Sequence, residues 1–330
     1  MLSRQDYELR IAVASGCNLN CSYCKPSLCS DEMDFFGIAK ILRSGAKSGL
    51  CKIKWTGGEP TVRKDFLEIV RFATEIGYSQ QSMTSNGVLL YDMAFDLRAA
   101  GLQKINVSLD ATNAEKFKEI TGHDKFDDVI KSLKHVADVF KYVGINSVIY
   151  SENKDNVAGI VNLAQQLDSD CEIRVKFIEM MPDNNDYEND AAKYAGQFVS
   201  AKEIIRLLGQ NGELIGGRFN ANREFKHITY KYEIKDKNGF YLVVPLNTEN
   251  RECVKGACPK IRVNPKGKIS PCSSEMSMVQ DFSGLSQEEC DAAMEQLVFN
   301  KENMSFEGLS DNRRYYQFWR FGREVKRDER

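Results

Sequence analysis

The sequence predicts an α/β protein: an open (β/α)6 part-barrel followed by a smaller α+β extension. Three observations predict it. Over the first 180 residues, short apolar runs alternate with amphipathic stretches that end in or near glycine. The cysteine-rich and polar motifs of this region fall directly after apolar runs, where a parallel barrel presents its chemistry. Beyond residue 182 the alternation stops, and strand-rich and then helical segments take over. The chain therefore divides into a core at 1–182 and an extension at 183–330.

Six runs read as buried parallel strands: LRIAVA (9–14), CKIKWT (51–56), QQSMTS (80–85), KINVSLD (104–110), GINSVIY (144–150) and EIRVKFIEMM (172–181). Amphipathic helices lie between them, for example at 65–77, 93–101 and 126–144. Six such units in series argue for a TIM-like sheet that curls without closing. CNLNCSYC, TGGEP, TSNG and SLD each follow a predicted strand, so they converge on one mouth. In the extension, polar residues 183–200 read as a surface crossing. They lead to a helix at 201–209, the strands HITYKYEI and GFYLVVPL, and a second cysteine group in CVKGACPKIRVNPKGKISPC (253–272). The last 50 residues read as helical and carry the run RRYYQFWRFGR (313–323).

Composition excludes several classes. Among 330 residues, 42% are hydrophobic and the formal net charge is −2. That suits a globular core and gives no global attraction to nucleic acid or an anionic membrane. The start, MLSRQDYELR, is polar, and no run approaches the roughly 18 to 20 apolar residues of a spanning helix. The expectation is a soluble cytoplasmic protein with no nucleic-acid or membrane partner. Ten cysteines in such a chain point to metal binding or catalysis before disulfides.

Residues 17–24 place three cysteines in the spacing C-x3-C-x2-C with no fourth in register. Three thiolates bind three irons of a cubane cluster and leave one iron open, as a catalytic zinc keeps a free position. Zinc itself is the alternative, although three close cysteines make a poor structural zinc site; Cys29 fits neither pattern. The loop after the first strand, with Tyr23 before its last cysteine, and GGEP after the second, resembles the radical S-adenosylmethionine (SAM) superfamily. The resemblance implies a [4Fe-4S] cluster on Cys17, Cys21 and Cys24 and an external electron donor. It also implies reductive cleavage of SAM and hydrogen abstraction from a substrate by the resulting radical.

TGGEPTVRKDF, TSNGVLL, AGLQKINVSLDA, EITGHDKFDDV, KFIEMMP and PKIRVNPKGKISPC narrow this. Together they resemble the GTP 3′,8-cyclase family of molybdenum-cofactor biosynthesis over nearly the whole chain up to about residue 275. By that resemblance, Tyr23, Gly57, Gly58, Glu59, Ser108 and Met181 contact SAM. It implies further that Cys253, Cys258 and Cys272 hold a second [4Fe-4S] cluster whose open iron faces the nucleotide base, with zinc as the weaker alternative. Their spacing is C-x4-C-x13-C, two residues longer at the first step than the family pattern; Gly256 gives the longer loop backbone freedom. The same resemblance implies that Arg10, Lys52, Lys54, Thr84, Lys260 and Arg262 contact the nucleotide, GTP or another. Lysine at the positions of Lys54 and Lys260, where the family has arginine, keeps the charge and loses the bidentate fork. Solvated surface charge is the plain alternative for each lysine.

Two departures stand out. The family carries a phosphate-binding lysine where this chain has Gly144, and its C-terminal double glycine is absent from GREVKRDER, where only Gly322 lies nearby. Both predict a divergent member that handles GTP poorly or prefers another substrate. Alternatives are a radical cyclase acting on a different nucleotide in a natural-product pathway, a peptide-modifying maturase and a non-catalytic SAM-binding module. The basic set favours an anionic nucleotide over a peptide.

Overall fold

The computed structural model describes residues 3–24, 32–167, 170–180, 196–208, 213–218, 228–233, 241–246, 259–271 and 279–303. Six strands run in series: β1 (Glu8–Ala14), β2 (Lys52–Gly57), β3 (Gln80–Ser85), β4 (Lys104–Ser108), β5 (Tyr142–Ile149) and β6 (Glu172–Glu179). Helices α1 (Phe35–Lys47), α2 (Phe66–Glu75), α3 (Leu90–Ala99), α4 (Ala114–Thr121), α5 (Phe126–Val139) and α6 (Val157–Gln165) connect them. Beyond them come α7 (Ala201–Leu208), β7 (Glu213–Arg218), β8 (Ile228–Glu233), β9 (Tyr241–Leu246), β10 (Lys260–Val263), β11 (Lys268–Ser270), β12 (Gln280–Asp281) and α8 (Gln287–Glu302).

All twelve strands form one sheet in the order β12-β11-β10-β1-β2-β3-β4-β5-β6-β9-β8-β7. β10, β1 to β6 and β9 are parallel neighbours, and an antiparallel hairpin continues each edge. Among the described residues the ends β12 and β7 do not pair, so the sheet is open. The later strands thus extend the sheet of the first six: β10 docks on β1 and β9 on β6.

Side chains alternate in burial because strand residues point to opposite faces. In β1, Leu9, Ile11 and Val13 are buried in the core while Glu8, Arg10 and Ala12 are half-buried on the other face. β2 repeats this, with Ile53 and Trp55 in the core and Lys52, Lys54 and Thr56 opposite. The core is therefore sandwiched between sheet and helices, and the second face carries polar and charged groups around a lumen. Lys54 on β2 and Lys176 on β6 both belong to that second face.

Helix ends follow local chemistry. α4 starts where the Asn113 side chain accepts from Lys116 N (2.8 Å) and stops at Gly122, whose φ of 73° suits glycine. α8 begins with a Ser286–Glu289 capping box and packs on α1, where Asp291 accepts from Ser44 Oγ and Lys47 Nζ, both at 2.7 Å. One expectation changes here. The helix predicted to run to Gly144 ends at Val139, and Gly144 lies inside β5 opposite Asn106 and Arg174. The apolar run VADVFKYVG joins helix and strand without a glycine break, so periodicity alone could not locate the boundary.

Candidate active site

The loops that follow β1, β2, β3 and β4 are stitched together at one end of the sheet. Gly57, at φ 147°, and Gly58 bring the turn after β2 against the backbone leaving β1. A Cβ on Gly57 would stand 2.4 Å from Ala14 O, and one on Gly58 2.1 Å from Gly16 O. That closeness permits Gly58 N to donate to Ala14 O (2.7 Å) and Glu59 N to Gly16 O (2.9 Å). These bonds fix the entry to the cysteine loop. Gly58→Ala is expected to cost about 1–3 kcal/mol of stability, the range for overpacking, read as a lowered urea midpoint. An unchanged midpoint would show that the loop yields.

Glu59 is only 1% exposed. Its carboxylate accepts from Thr61 N (3.1 Å), Thr61 Oγ1 (2.7 Å), Ser85 Oγ (2.8 Å) and Asn86 N (2.6 Å). Burial pushes its pKa up, and these hydrogen bonds partly offset that rise. The side chain is thus engaged in tying the β2 and β3 loops together. Asn86 carries the link onward: its Nδ2 donates to Asn18 Oδ1 (2.6 Å) and lies 3.6 Å from Cys17 Sγ.

The cysteine loop is anchored on its other flank. Asn20 N and Ser22 N donate to the α4 carbonyls of Thr121 (2.9 Å) and Ile120 (2.8 Å). Tyr23 donates from its hydroxyl to Asp110 Oδ2 and packs edge-on against Tyr150 at 5.8 Å. Cys17, Cys21 and Cys24 are free thiols within electrostatic range of one another. Burial, then Asp110, then the neighbouring thiols push Cys21 up to about 12; Cys24 is raised by burial, Cys17 and Asp110. Such thiols become thiolates when a cation offsets their charge. Among the described residues, no three His, Cys, Asp or Glu side chains converge on a point for a single metal ion. Three cysteines in this loop match the number that holds three irons of a four-iron cluster and leaves the fourth open.

The lumen supplies a second group. Arg10 pairs with Lys54 and with Arg262 across the register, and Glu8 with Lys52 and Lys260. Arg10 Nε donates to Glu8 Oε1 (2.6 Å), and Lys52 Nζ lies 3.5 Å from Asp6 Oδ1. Lys54 is lowered to about 8, first by burial and then by Arg10, with Lys176 and Lys260 adding and Glu8 opposing. Lys176, on the same face of β6, is also lowered, by loss of hydration and by Arg10. Thr84 and Ser108 are half-buried, in register with Asn106 and Asn146. At Gly144 an added Cβ would meet Asn106 Oδ1 at 2.3 Å, so the amide occupies that side of the lumen.

Met181, Cys253, Cys258, Cys272 and Gly322 lie outside the described residues. Sequence reasoning missed Asn86, Asp110 and Lys176. The first two stand in motifs already singled out, TSNG and SLD, and Lys176 shares the parity of Arg174 along β6.

Residues 11–164 match the family model of the radical SAM superfamily. A probable GTP 3′,8-cyclase of Saccharolobus solfataricus is 32% identical over 277 residues, covering 80% of this chain and 82% of that protein. The chain belongs to the GTP 3′,8-cyclase family. It is a radical SAM enzyme, and membership implies SAM and a [4Fe-4S] cluster. A probable GTP 3′,8-cyclase of Saccharolobus islandicus is 40% identical over 166 residues, where the match spans 48% of this chain and 53% of that protein. Among solved structures, Streptococcus suis SuiB bound to S-adenosylmethionine superposes with a TM-score of 0.57 at 16% identity, covering 90% of this chain and 66% of that one. That likeness speaks to the fold alone. No helix among the described residues is long and apolar enough to cross a membrane.

Proposed function

We propose that this enzyme acts on a nucleotide as its family does, abstracting a hydrogen from the substrate to drive a GTP 3′,8-cyclase-type ring closure. The observation that carries the proposal is the lumen. Arg10, Lys54, Lys260 and Arg262 stand on the same face of neighbouring strands, with Lys176 on that face of β6, and Glu8 is the acidic residue among them in register with Lys52 and Lys260. Cations held so close repel one another, and an anion of several charges relieves that repulsion. A polyphosphate is such an anion; a peptide backbone is not.

In this proposal Cys17, Cys21 and Cys24 hold the first cluster at the head of a (β/α)6 part-barrel spanning 1–182. Bound together, cluster and SAM supply one-electron reductive chemistry that yields a 5′-deoxyadenosyl radical. The protein's part is positional. Gly57, Gly58 and the Glu59 backbone present the turn after β2 to SAM, while Tyr23, Ser108 and Met181 complete its surroundings. Arg10, Lys52, Lys54, Thr84, Lys260 and Arg262 hold the nucleotide. Cys253, Cys258 and Cys272 hold a second [4Fe-4S] cluster in the extension at 183–330, and an external electron donor reduces the first.

Lys176 bears on the missing lysine at Gly144. It sits one strand over, on β6, and its charge reaches Lys54. We assign to it the charge that Gly144 lacks, which makes GTP an acceptable substrate despite that departure. The test is anaerobic incubation of the reconstituted enzyme with SAM, a reductant and GTP. The expected result is the 3′,8-cyclised nucleotide with one 5′-deoxyadenosine per turnover. 5′-Deoxyadenosine that forms only with another nucleotide would reassign the substrate. Release stimulated only by peptides would overturn the nucleotide reading.

A further inference from the structure

The turn after β4 carries a buried carboxylate that the chemistry above does not use. Asp110 is 6% exposed. Its Oδ1 accepts from Val148 N (2.7 Å) on β5, and its Oδ2 accepts from the Tyr23 hydroxyl. Asn153 braces the same corner: its Nδ2 donates to Asp110 O (3.1 Å) and Val148 O (2.8 Å), and its Oδ1 accepts from Tyr150 N (2.8 Å). The Tyr150 hydroxyl lies 3.5 Å from Ser22 Oγ. Strand ends β4 and β5 are thereby bolted to the C-terminal half of the cysteine loop, opposite the flank held by Asn86.

We propose that Asp110 is a positioning residue for the cysteine loop, holding Tyr23 in place and setting a carboxylate on the flank of the loop that would carry the cluster. The inference rests on the reading that Cys17, Cys21 and Cys24 hold the cluster. It has two physical consequences. The hydrogen bond restricts Tyr23 to one rotamer, so the aromatic wall beside SAM is preorganised. The carboxylate is also tied directly to the segment between Cys21 and Cys24, because it accepts from Tyr23. A negative charge in low dielectric disfavours adding an electron to the cluster, so it holds the reduction potential down. A lower potential makes the reduced cluster a stronger donor toward SAM.

The experiment compares wild type, Asp110→Asn and Tyr23→Phe as full-length protein reconstituted anaerobically, each in a background with Cys253, Cys258 and Cys272 replaced by alanine. Iron content, SAM dissociation constant and the potential of the remaining cluster are read. Asp110→Asn keeps shape and loses charge. It is expected to retain its iron, weaken SAM binding about tenfold and raise the potential by a tenfold change in the redox equilibrium, about 59 mV for one electron. Tyr23→Phe is expected to weaken SAM binding similarly with a smaller shift in potential, because the charge remains. An iron-loaded Asp110→Asn with wild-type potential and SAM affinity overturns the proposal. If Asp110→Asn loses iron or fails to fold, Tyr23→Phe decides, and wild-type SAM affinity there overturns it. A wild-type background that takes up no iron overturns the underlying cluster assignment instead.

Discussion

Replacing Cys17, Cys21 and Cys24 by alanine is expected to lower the iron content from roughly eight atoms per chain to about four and to abolish SAM cleavage. The loop should survive the change. Its backbone is held by Asn20 N and Ser22 N on α4 carbonyls and by the Gly58 and Glu59 amides on Ala14 and Gly16 carbonyls, none of which involves a thiol. Loss of activity would therefore report loss of the cluster and not loss of fold, and an unchanged thermal transition would confirm this. The complementary variant replaces Cys253, Cys258 and Cys272. It is expected to halve the iron while leaving SAM cleavage that is uncoupled from product. Zinc in place of iron after anaerobic purification would sink the assignment at whichever site held it. Undiminished SAM cleavage by the first variant would refute the role of its three cysteines outright.

The strands were legible because their alternation is strong. LRIAVA, CKIKWT and QQSMTS appear as β1, β2 and β3 to within a residue or two at each end. Motifs placed after strands were legible for the same reason, since a parallel sheet puts all such turns at one end. Side-chain roles were harder. Glu59 reads as a SAM contact from the motif, and the motif gives no sign that its carboxylate also accepts from Thr61, Ser85 and Asn86 and so ties two loops together. Asp110 reads as the end of a strand, and its partner Tyr23 lies 87 positions away. Lys176 lies inside the run EIRVKFIEMM, which reads only as a buried strand. Its placement on the same sheet face as Lys54, four strands away, depends on the strand order, which no local window contains. Gly144 was legible as a departure, but the neighbour that fills its space, Asn106, comes from β4.

Lys54→Met and Lys176→Met are each expected to weaken nucleotide binding by about 1.5–3 kcal/mol, the range for a hydrogen bond to a charged group. Titration calorimetry would read this as roughly a 10- to 150-fold rise in the dissociation constant. Stability should move the other way or not at all. Lys54 is lowered to about 8 from 10.5 by burial and by the surrounding cations, so the folded state binds fewer protons than the unfolded one between those values. Stability of the free enzyme then rises with pH across that window, which means that the charged Lys54 opposes folding at neutral pH. Removing it relieves repulsion from Arg10, Lys176 and Lys260, and the melting temperature should hold or increase. The same shift predicts a pH signature for binding. A polyphosphate supplies the counter-charge that restores the proton on Lys54, so binding near pH 8 should take up a proton, seen as a dependence of the calorimetric heat on buffer ionisation enthalpy. Affinity should fall as pH rises through about 8. Opposite signs for binding and stability separate a ligand site from a structural one, because a structural lysine would lose both together. Equal nucleotide affinity in wild type and both variants, with no change between about pH 7 and 9, would remove the anion from the lumen and the nucleotide from the proposal.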